Sequence, residues 1–451
     1  MRFLIKNGII VTMDKKGRVI KDGALLVEDD KIVDVGKAAK VKAKPKPDKV
    51  IDARGKLVMP GLIDAHTHML GCLVRGLGAD MGLLEWLQKH QWPFLANVKE
   101  KEARVGGLLG CAEAIKTGST FVVENYYSAR DKKGNIDEIA KAIEKSGIRG
   151  LLVRGYHDKD HLTPEVFIEE KEEVLKEYER IIRRWHGASD GRIMAWIGPV
   201  NLLFCTLETL ACLKELAEKY GVGFHTHVAE SKREVELVEK EFGRGYVEVF
   251  NDLGLLGPKF HAAHSVWLSQ REMEMLARTK SKVVHNPESN MYLSSGFAPI
   301  PELLSAGVDV ALGTDGGNCN NNQDMIESMR AAAFLHKVHS LNPTIISAKD
   351  VMRMATINGA KALGLEAQLG SLEAGKKADI VIVNLKSPHI SPVHDPIPSI
   401  VYSANGNDVD TTIVDGKILM EGRRLLTLDE DKLVEEAQRV ADDLVSRAKI
   451  K

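Results

Sequence analysis

Two histidines separated by a single threonine end the stretch PGLIDAHTH, and their spacing suits metal binding. The stretch begins as an apolar run of the kind that forms a buried strand. Successive side chains on a strand point to opposite faces, so His66 and His68 project together while Thr67 turns away. A lone His-x-His pair also occurs in packed cores and on surfaces. The metal interpretation therefore needs further ligands elsewhere in the chain.

Three later strand ends supply such ligands. The fifth apolar strand ends in HTHVAE, where His225 and His227 share a face and only one of them needs to bind a metal. The sixth strand ends at His264 and the eighth at Asp315. Three imidazoles and one carboxylate suit Zn²⁺ or Fe²⁺ with one position left for water. Bound zinc lowers the pKa of that water to about 7, which makes a hydroxide nucleophile available at neutral pH.

Two side chains near these ligands are candidates for proton transfer. Glu230 follows the fifth strand, and His264 ends the sixth. A positioned acid or base contributes roughly 10²–10⁴-fold to a reaction rate. The sequence thus predicts a metal-dependent hydrolase that needs no serine or cysteine nucleophile.

The segment that must position these residues alternates strands with helices. From residue 56 onward, eight apolar strand candidates occur: LVMPGLIDAH, STFVVENYY, IRGLLVRGY, RIMAWIGPV, VGFHTHV, FHAAHSV, SKVVHNP and DVALGTD. Eight parallel βα units close a (β/α)₈ barrel, whose chemistry lies at the carboxyl ends of the strands. The polar residues at or just past these predicted ends are His66, His68, Glu124, Arg154, His227, His264, His285 and Asp315.

The two ends of the chain have a different pattern. Short alternating runs separated by turns predict antiparallel strands in residues 1–55 and again in 364–428, which together form a flanking β-sandwich. Residues 56–363 form the barrel. Residues 429–451 carry Leu433, Ala437, Val440 and Leu444 at helical spacing between charges, so they predict an amphipathic C-terminal helix.

The composition excludes several classes of partner. Lys plus Arg number 62 and Asp plus Glu 63, which leaves no net field to attract nucleic acid or an anionic membrane. No run reaches the ~18 apolar residues of a membrane span, and the N-terminal residues do not resemble a signal peptide. The five cysteines show no paired framework. We expect a cytoplasmic protein with a small-molecule partner.

Several motifs resemble those of a known family. PGLIDAHTH, HVAES, HAAHSV, HNPESNMYLSSGFAPIP and GTDGGNCNNNQDM are similar, in this order, to the motifs of the amidohydrolase superfamily. More narrowly, they resemble its branch of cytosolic aminohydrolases and chlorohydrolases, which includes melamine deaminase, atrazine chlorohydrolase and the deaminases of S-adenosylhomocysteine and methylthioadenosine. The likeness runs almost end to end.

The resemblance implies one divalent ion per subunit, zinc or alternatively iron, in a homo-oligomer. The implied ligands are His66, His68, His227 and Asp315. RIMAWIGPV lacks the lysine that dinuclear members use as a bridge, which favours one metal. In the implied reaction, a hydroxide activated by His264 or Asp315 attacks a ring carbon bearing an amino group. Glu230 protonates the neighbouring ring nitrogen, and Asp315 passes a proton to the leaving amine.

The resemblance implies a substrate that is an amino-substituted nitrogen heterocycle of the purine (guanine), pterin or s-triazine type. Nucleoside-processing relatives usually carry a Glu where this chain has Leu95 and a His where it has Val200. A site without these polar anchors holds a ribose poorly. The sequence therefore favours the smaller heterocycle over the alternative, a deaminase of S-adenosylhomocysteine, methylthioadenosine or adenosine.

Two further alternatives stay open. A dechlorinating triazine hydrolase is disfavoured because Cys319 matches melamine deaminase, where the dechlorinating relative has a Ser. A non-catalytic scaffold would be expected to lose at least one of the implied site residues. The candidate substrate contacts are Trp86, Arg154, Glu230, Asn290 and Cys319.

Overall fold

The computed structural model describes residues 1–160 and 162–450, so Lys451 at the end of the predicted C-terminal helix lies outside the described residues. In the described part, strands form two nine-stranded sheets. The strands are β1 (Arg2–Val11), β2 (Val19–Glu28), β3 (Lys31–Lys37), β4 (Lys49–Asp52), β5 (Lys56–Pro60), β6 (Leu62–His68), β7 (Ser119–Tyr126), β8 (Arg149–Arg154), β9 (Ile193–Ile197), β10 (Phe224–Val228), β11 (Phe260–His264), β12 (Lys282–His285), β13 (Val310–Leu312), β14 (Asp315–Gly316), β15 (Ile380–Asn384), β16 (Val409–Val414), β17 (Lys417–Glu421) and β18 (Arg424–Leu425).

The helices lie mainly in the connections between the strands of the second sheet. They are α1 (Leu83–Trp86), α2 (Trp92–Asn97), α3 (Glu100–Lys116), α4 (Asn135–Ser146), α5 (Lys171–Trp185), α6 (Ala188–Gly191), α7 (Leu207–Tyr220), α8 (Lys232–Phe242), α9 (Tyr246–Asp252), α10 (Gln270–Thr279), α11 (Pro287–Tyr292), α12 (Ile300–Ser305), α13 (Met325–His339), α14 (Ala348–Arg353), α15 (Gly359–Ala362), α16 (Pro396–Tyr402) and α17 (Glu430–Ala448). None of the helices in the described residues is both long and apolar enough to cross a bilayer.

The second sheet is the predicted barrel. Its strands pair in parallel in the order β13-β12-β11-β10-β9-β8-β7-β6-β14. The segments β13 and β14 are two halves of the eighth strand, interrupted at residues 313–314, and β14 closes the barrel on β6. In a barrel of this kind both faces of each strand are covered, so its strands are nearly continuous apolar runs in the sequence. In agreement with this, every residue of β7 is buried. The (β/α)₈ prediction is confirmed.

The first sheet is built from both ends of the chain, as predicted. Its strands run β18-β17-β16-β15-β5-β1-β2-β3, with β4 beside β1. They enclose a shared apolar core that includes Phe3, Leu25, Ile380 and Ile413. The flanking β-sandwich is thus one continuous mixed sheet.

The structure differs from the expected boundary between sheet and barrel. The run from Lys56 to Pro60 is not the start of the first barrel strand, because β5 pairs with β15 and β1 of the flanking sheet. The chain crosses between the sheets at Gly61, and β6 begins at Leu62. The sequence from Leu57 to Ile63 is continuously apolar, and only Pro60-Gly61 marks a break. Such a pattern does not show that its two halves pair with different sheets.

Two loops matter for the site. Residues 69–99, between β6 and α3, fold over the barrel mouth and contain α1 and α2. After β10 the chain forms two helices, α8 and α9, because Gly243 ends α8 with a φ of 64°. Ser231 caps α8, and its amide donates to the Glu234 carboxylate at 2.8 Å. This cap holds Glu230, the residue before it, at the mouth.

The C-terminal segment forms α17, which packs on α3 and α2. Its buried side chains are Leu433, Ala437, Val440, Leu444 and Ala448. Arg447, near its end, forms an ion pair with the buried Glu102 of α3. This helix covers the side of the barrel that carries the first loop.

Candidate metal centre and substrate pocket

Four side chains from three parts of the barrel converge at its mouth. The Nε2 atom of His68 lies 3.4 Å from His227 Nε2 and 3.3 Å from Asp315 Oδ1. The Nε2 atom of His66 lies 3.5 Å from the same Asp315 oxygen. Ligand atoms about 2.0–2.2 Å from a tetrahedral zinc are themselves about 3.3–3.6 Å apart. The observed spacing therefore fits one ion.

The parallel strands bring these residues together. His66 and His68 occupy alternate positions at the end of β6, and β14 pairs with β6 so that Asp315 is opposite Thr67. Thr67 points away from the centre and donates its hydroxyl to the Asp315 carbonyl at 3.1 Å. The eighth strand passes so close that a Cβ on Gly313 would lie 2.8 Å from the His66 carbonyl oxygen. Only glycine fits there.

The imidazole rings are oriented by what their Nδ1 atoms contact. His68 Nδ1 donates to the Asn125 carbonyl, and His227 Nδ1 donates to the Val200 carbonyl at 2.7 Å. A carbonyl oxygen only accepts, so the proton is on Nδ1 and the Nε2 lone pair faces the centre. The buried His66 Nε2 has no hydrogen-bond partner among the described residues. A buried nitrogen lone pair without a donor is what a metal ligand requires.

Electrostatics keep these groups in their ligand forms. Burial lowers the pKa of His66 to about 4 and lowers that of His227 well below its usual value. Burial alone would raise the pKa of Asp315, but the nearby imidazoles of His66, His264 and His68 hold it well below its usual range. Neutral imidazoles beside a carboxylate form a donor set suited to zinc or ferrous iron.

Glu230 and His264 stand beside this centre. His264 Nε2 lies 3.7 Å from Glu230 Oε2 and 3.6 Å from Asp315 Oδ2. Burial raises the pKa of Glu230 well above its usual value, and the charges of Glu234 and Asp315 raise it further. This shift favours the protonated form, which is able to donate. A buried acid of this kind is a candidate general acid.

His264 is fixed from behind. Its Nδ1 is 2.8 Å from Asn290 Oδ1, and its Nε2 is 3.3 Å from Asn286 Nδ2. His264 itself adopts a φ of 67°, a left-handed conformation uncommon for a residue other than glycine. This conformation ends β11 and turns the imidazole into the mouth.

A pocket lies over the centre, with largely apolar walls. Trp86, Trp92, Tyr127 and Phe204 contribute aromatic rings, and His157 completes the side away from the metal ligands. Side chains of the 69–99 loop, Trp86 and Trp92 among them, form one side of this pocket.

The structure separates the predicted substrate contacts into two groups. Trp86, Glu230 and Cys319 are in the pocket wall. Asn290 contacts His264 instead of the pocket.

Arg154 is also not at the wall, which corrects its place among the predicted substrate contacts. Its guanidinium is buried and forms an ion pair with Glu169 at 2.5 Å. A charge at a strand end near the mouth was the only signal in the sequence, and it could not reveal this partner.

Two other polar residues predicted at strand ends have partners away from the pocket. Glu124 is buried behind β6, where its carboxylate accepts a hydrogen bond from the Met69 amide at 2.8 Å. His285 forms a hydrogen bond with His336 at 3.1 Å.

Sequence reasoning missed two histidines. His157, three residues beyond β8, is fully buried in the pocket wall, and neither of its ring nitrogens has a hydrogen-bond partner among the described residues. His225 lies 2.7 Å from His66, behind the centre. The strand-end rule could have found His157, but the depth of His225 in the barrel has no sequence signal.

Comparisons with known proteins agree with this fold. A family model described as the amidohydrolase family matches residues 57–419. A protein of Methanosarcina acetivorans named 5'-deoxyadenosine deaminase is 45% identical over 446 residues, 99% of each chain. A 5-methylthioadenosine/S-adenosylhomocysteine deaminase of Thermococcus sibiricus is 42% identical over 421 residues, 93% of this chain and 94% of the other. A zinc-bound adenosine deaminase from Xanthomonas campestris superposes with a TM-score of 0.92 at 30% identity, covering 98% of both chains. The chain belongs to the amidohydrolase family.

Proposed function

We propose that this protein is a metal-dependent aminohydrolase that removes the amino group from the adenine ring of a 5'-deoxyadenosine-type nucleoside and releases ammonia. The proposal rests on one observation above all. Three Nε2 atoms and one carboxylate oxygen converge at metal-ligand spacing beside the buried acid Glu230. One zinc ion per subunit, with ferrous iron as the alternative, would be held by His66, His68, His227 and Asp315.

A bound metal would supply a Lewis acid that makes water easier to deprotonate. Side chains of the protein then transfer the protons. Asp315 and His264, 3.6 Å apart, are placed to take the proton that water loses. Glu230, whose raised pKa favours the protonated form, donates to the ring nitrogen next to the carbon under attack, which prevents negative charge from building up on the ring. The proton held at Asp315 then passes to the departing amine.

The preference between heterocycles is revised in favour of the nucleoside. The smaller heterocycle was favoured because Leu95 and Val200 replace polar ribose anchors. Leu95 is buried in the core, whereas Val200 lines the pocket beside Phe204. An apolar wall suits a sugar whose 5' position carries a methyl group. The 45% identity to proteins named 5'-deoxyadenosine deaminase supports the same choice.

His157 supplies a polar contact for the sugar. Its ring centroid lies 5.5 Å from that of Tyr127 and 5.4 Å from that of Phe204, in the pocket wall. Its two unpartnered nitrogens would gain a partner if a ribose hydroxyl were bound. The neighbouring Asn201 cannot replace it, because its amide already donates to Glu234 and its oxygen accepts from Tyr246.

The pocket disfavours charged 5' substituents. Among the described residues, neither Arg nor Lys lines it, and Arg154 is neutralised by Glu169. The amino-acid tail of S-adenosylhomocysteine would leave its carboxylate without a partner, which costs affinity. We therefore rank 5'-deoxyadenosine and methylthioadenosine above S-adenosylhomocysteine.

The remaining alternatives have less support. Solved triazine hydrolases resemble this chain at 24% identity, a likeness of fold alone. A non-catalytic scaffold has no need for a buried, unpaired His66 Nε2. Metal analysis separates the scaffold from the enzyme, since only the enzyme should hold one equivalent of metal per chain.

We also propose a cytoplasmic location and a homo-oligomeric state. The free state of all five cysteines, all of them in the described residues, supports a reducing compartment. The oligomeric state rests on the family resemblance. Size-exclusion chromatography with light scattering tests it directly, and a monomer at micromolar concentration would contradict it.

Substrate identity is tested by ammonia release from the zinc-loaded protein. The panel contains 5'-deoxyadenosine, methylthioadenosine, S-adenosylhomocysteine, adenosine, guanine, isoxanthopterin, melamine and ammeline. We expect the highest kcat/KM with 5'-deoxyadenosine or methylthioadenosine. Turnover of melamine, guanine or isoxanthopterin without turnover of any nucleoside would overturn the nucleoside assignment and return the smaller heterocycle to first place.

A further inference from the structure

Three imidazoles form a continuous hydrogen-bonded chain from the metal centre into the barrel core. His66 Nδ1 lies 2.7 Å from His225 Nε2, His225 Nδ1 lies 3.2 Å from His261 Nδ1, and His261 Nε2 lies 2.7 Å from the Ala362 carbonyl oxygen. All three rings have a relative exposure of 0%. The chain runs from the end of β6 across β10 and β11 to the last turn of α15.

The carbonyl at the far end determines where every proton lies. A carbonyl oxygen only accepts, so His261 Nε2 carries a proton. In a neutral imidazole, His261 Nδ1 is then an acceptor, and His225 Nδ1 must donate to it. His225 Nε2 in turn accepts from His66 Nδ1. The lone pair of His66 is consequently on Nε2, which faces the metal centre.

The rings are neutral, as this alternation requires. All three rings are fully buried, and burial disfavours the charged form of an imidazole. A second proton on His225 or His261 would place two donors against each other. The geometry therefore admits one arrangement of protons.

These rings occupy positions where a barrel normally has apolar side chains. The interiors of (β/α)₈ barrels are filled mainly by branched residues such as Val, Ile and Leu. A buried imidazole is costly unless its nitrogens are hydrogen-bonded. Both nitrogens of His225 and of His261 are bonded. Simple filling of the core does not require such matched polar groups.

A comparison with His68 and His227 shows what the imidazole chain gives to His66, namely an acceptor for its Nδ1 proton. His68 and His227 direct their Nδ1 protons to backbone carbonyls, of Asn125 and Val200 respectively. The Nδ1 proton of His66 is accepted by a side chain, His225, and not by a backbone carbonyl. His225 and His261 give His66 the acceptor that a backbone carbonyl gives to His68 and His227, because the last acceptor in the imidazole chain is the Ala362 carbonyl oxygen. That carbonyl belongs to the end of a helix, where carbonyls lack amide partners.

We propose that His225 and His261 are positioning residues that fix the tautomer and ring orientation of His66 as a metal ligand. Outer partners of this kind are worth about 10–100-fold in metal affinity. The inference depends on the proposed metal centre but concerns affinity for the metal, so it can be tested without any substrate.

The test compares substitutions at one position. His225→Phe keeps the ring volume and removes the acceptor, so the zinc Kd, measured against a chelating dye, should rise about 10–100-fold. His225→Gln places an amide oxygen near the position of Nε2 and should recover most of the affinity. His336→Phe is the control, because His336 is equally buried and bonds His285, which is not a proposed ligand. The control should lower the unfolding midpoint of the metal-free protein while its zinc Kd stays within about twofold of the wild-type value.

A second measurement does not depend on whether the variants fold. Neutron diffraction, or ¹⁵N spectra of the imidazoles, should show protons on His261 Nε2, His225 Nδ1 and His66 Nδ1. A proton on His225 Nε2 would overturn the inference. So would an unchanged zinc Kd in His225→Phe, or equal losses of affinity in His225→Phe and His336→Phe. If the wild-type protein binds no metal, the metal centre itself is wrong, and the inference falls with it.

Discussion

The carboxyl oxygen Oε2 of Glu230 lies 3.7 Å from Nε2 of His264, and both side chains are buried at the barrel mouth. They come from the ends of neighbouring strands, β10 and β11, that pair in parallel. Burial raises the pKa of the carboxyl group well above its usual value and lowers the pKa of the imidazole. A proton donor and a proton acceptor are thus held apart at one site, as a two-step proton transfer requires.

Glu230→Gln should keep the metal and lose turnover. The amide has a similar shape but cannot protonate the ring nitrogen, so kcat should fall by roughly 10²–10⁴-fold or more, with one zinc per chain retained. Ammonia release and elemental analysis measure the two quantities. Glu239→Gln, a matched change at an exposed position of α8, is the control and should behave as wild type. Normal turnover in Glu230→Gln would remove Glu230 from the mechanism.

Removal of the metal should abolish activity reversibly and destabilise the fold. A ligand that binds only the native state adds about 4 kcal/mol at a thousand times its Kd, so the chelated protein should unfold at lower temperature. Adding zinc should restore both the activity and the unfolding temperature. In His68→Ala, which removes one ligand, zinc should restore neither at the same concentration. Full activity after chelation, verified by elemental analysis, would end the metal hypothesis.

His157→Phe should weaken recognition of the sugar selectively. The substitution keeps a ring in the wall but removes the nitrogen partners for a hydroxyl, a loss of roughly 1 kcal/mol, or about 3- to 10-fold in kcat/KM for 5'-deoxyadenosine. Activity on 2',3',5'-trideoxyadenosine, which lacks those hydroxyls, serves as the internal control and should change little. An equal loss on both compounds would mean that His157 only shapes the pocket.

The contribution of Glu288 to stability should fall as the pH rises from about 4.5 to about 7. Burial raises its pKa to about 7, and its carboxyl oxygen accepts from the Ser328 hydroxyl at 2.6 Å. Over this interval the folded state binds the proton that the unfolded state has lost, so raising the pH favours unfolding. The contribution is fully present below about pH 4.5 and is lost above about pH 7.

Glu288→Gln should flatten this dependence. The amide keeps an oxygen for Ser328 and carries no charge, so the variant should match wild type near pH 4.5 and exceed it at pH 8 in urea unfolding midpoint. Glu302→Gln, exposed on α12, should leave the pH profile unchanged. If Glu288→Gln leaves the slope of the wild-type profile intact, the carboxyl group is not the cause.

Much of the site could be predicted from the sequence because strand periodicity is local. Alternation on β6 puts His66 and His68 on one face whatever the rest of the chain does. Apolar runs separated by helical patterns predict parallel strands, and parallel strands bring their carboxyl ends together. Residue type then restricts the chemistry, since imidazoles and a carboxylate around one point suit zinc or iron.

Other features needed the folded chain. His225 and His227 share a face of β10, and periodicity cannot distinguish them. Their depth in the barrel distinguishes them. His227 faces His68, whereas His225 lies two residues deeper on the strand, next to the Nδ1 side of the His66 ring. Arg154 carries a charge suited to a substrate, yet Glu169 reaches it from a loop whose path is not encoded in the spacing.

The sequence by itself predicted the kinds of ligand, the strand ends that carry them and a balance of charge that provides no net field for large anionic partners. Only the tertiary structure decided which neighbour each buried polar atom meets: His225 behind His66, Glu169 on Arg154, and β15 beside β5. The physical reason is that hydrogen-bond partners distant in sequence are selected by packing and desolvation of the whole chain, whereas the direction of a side chain follows from its own backbone.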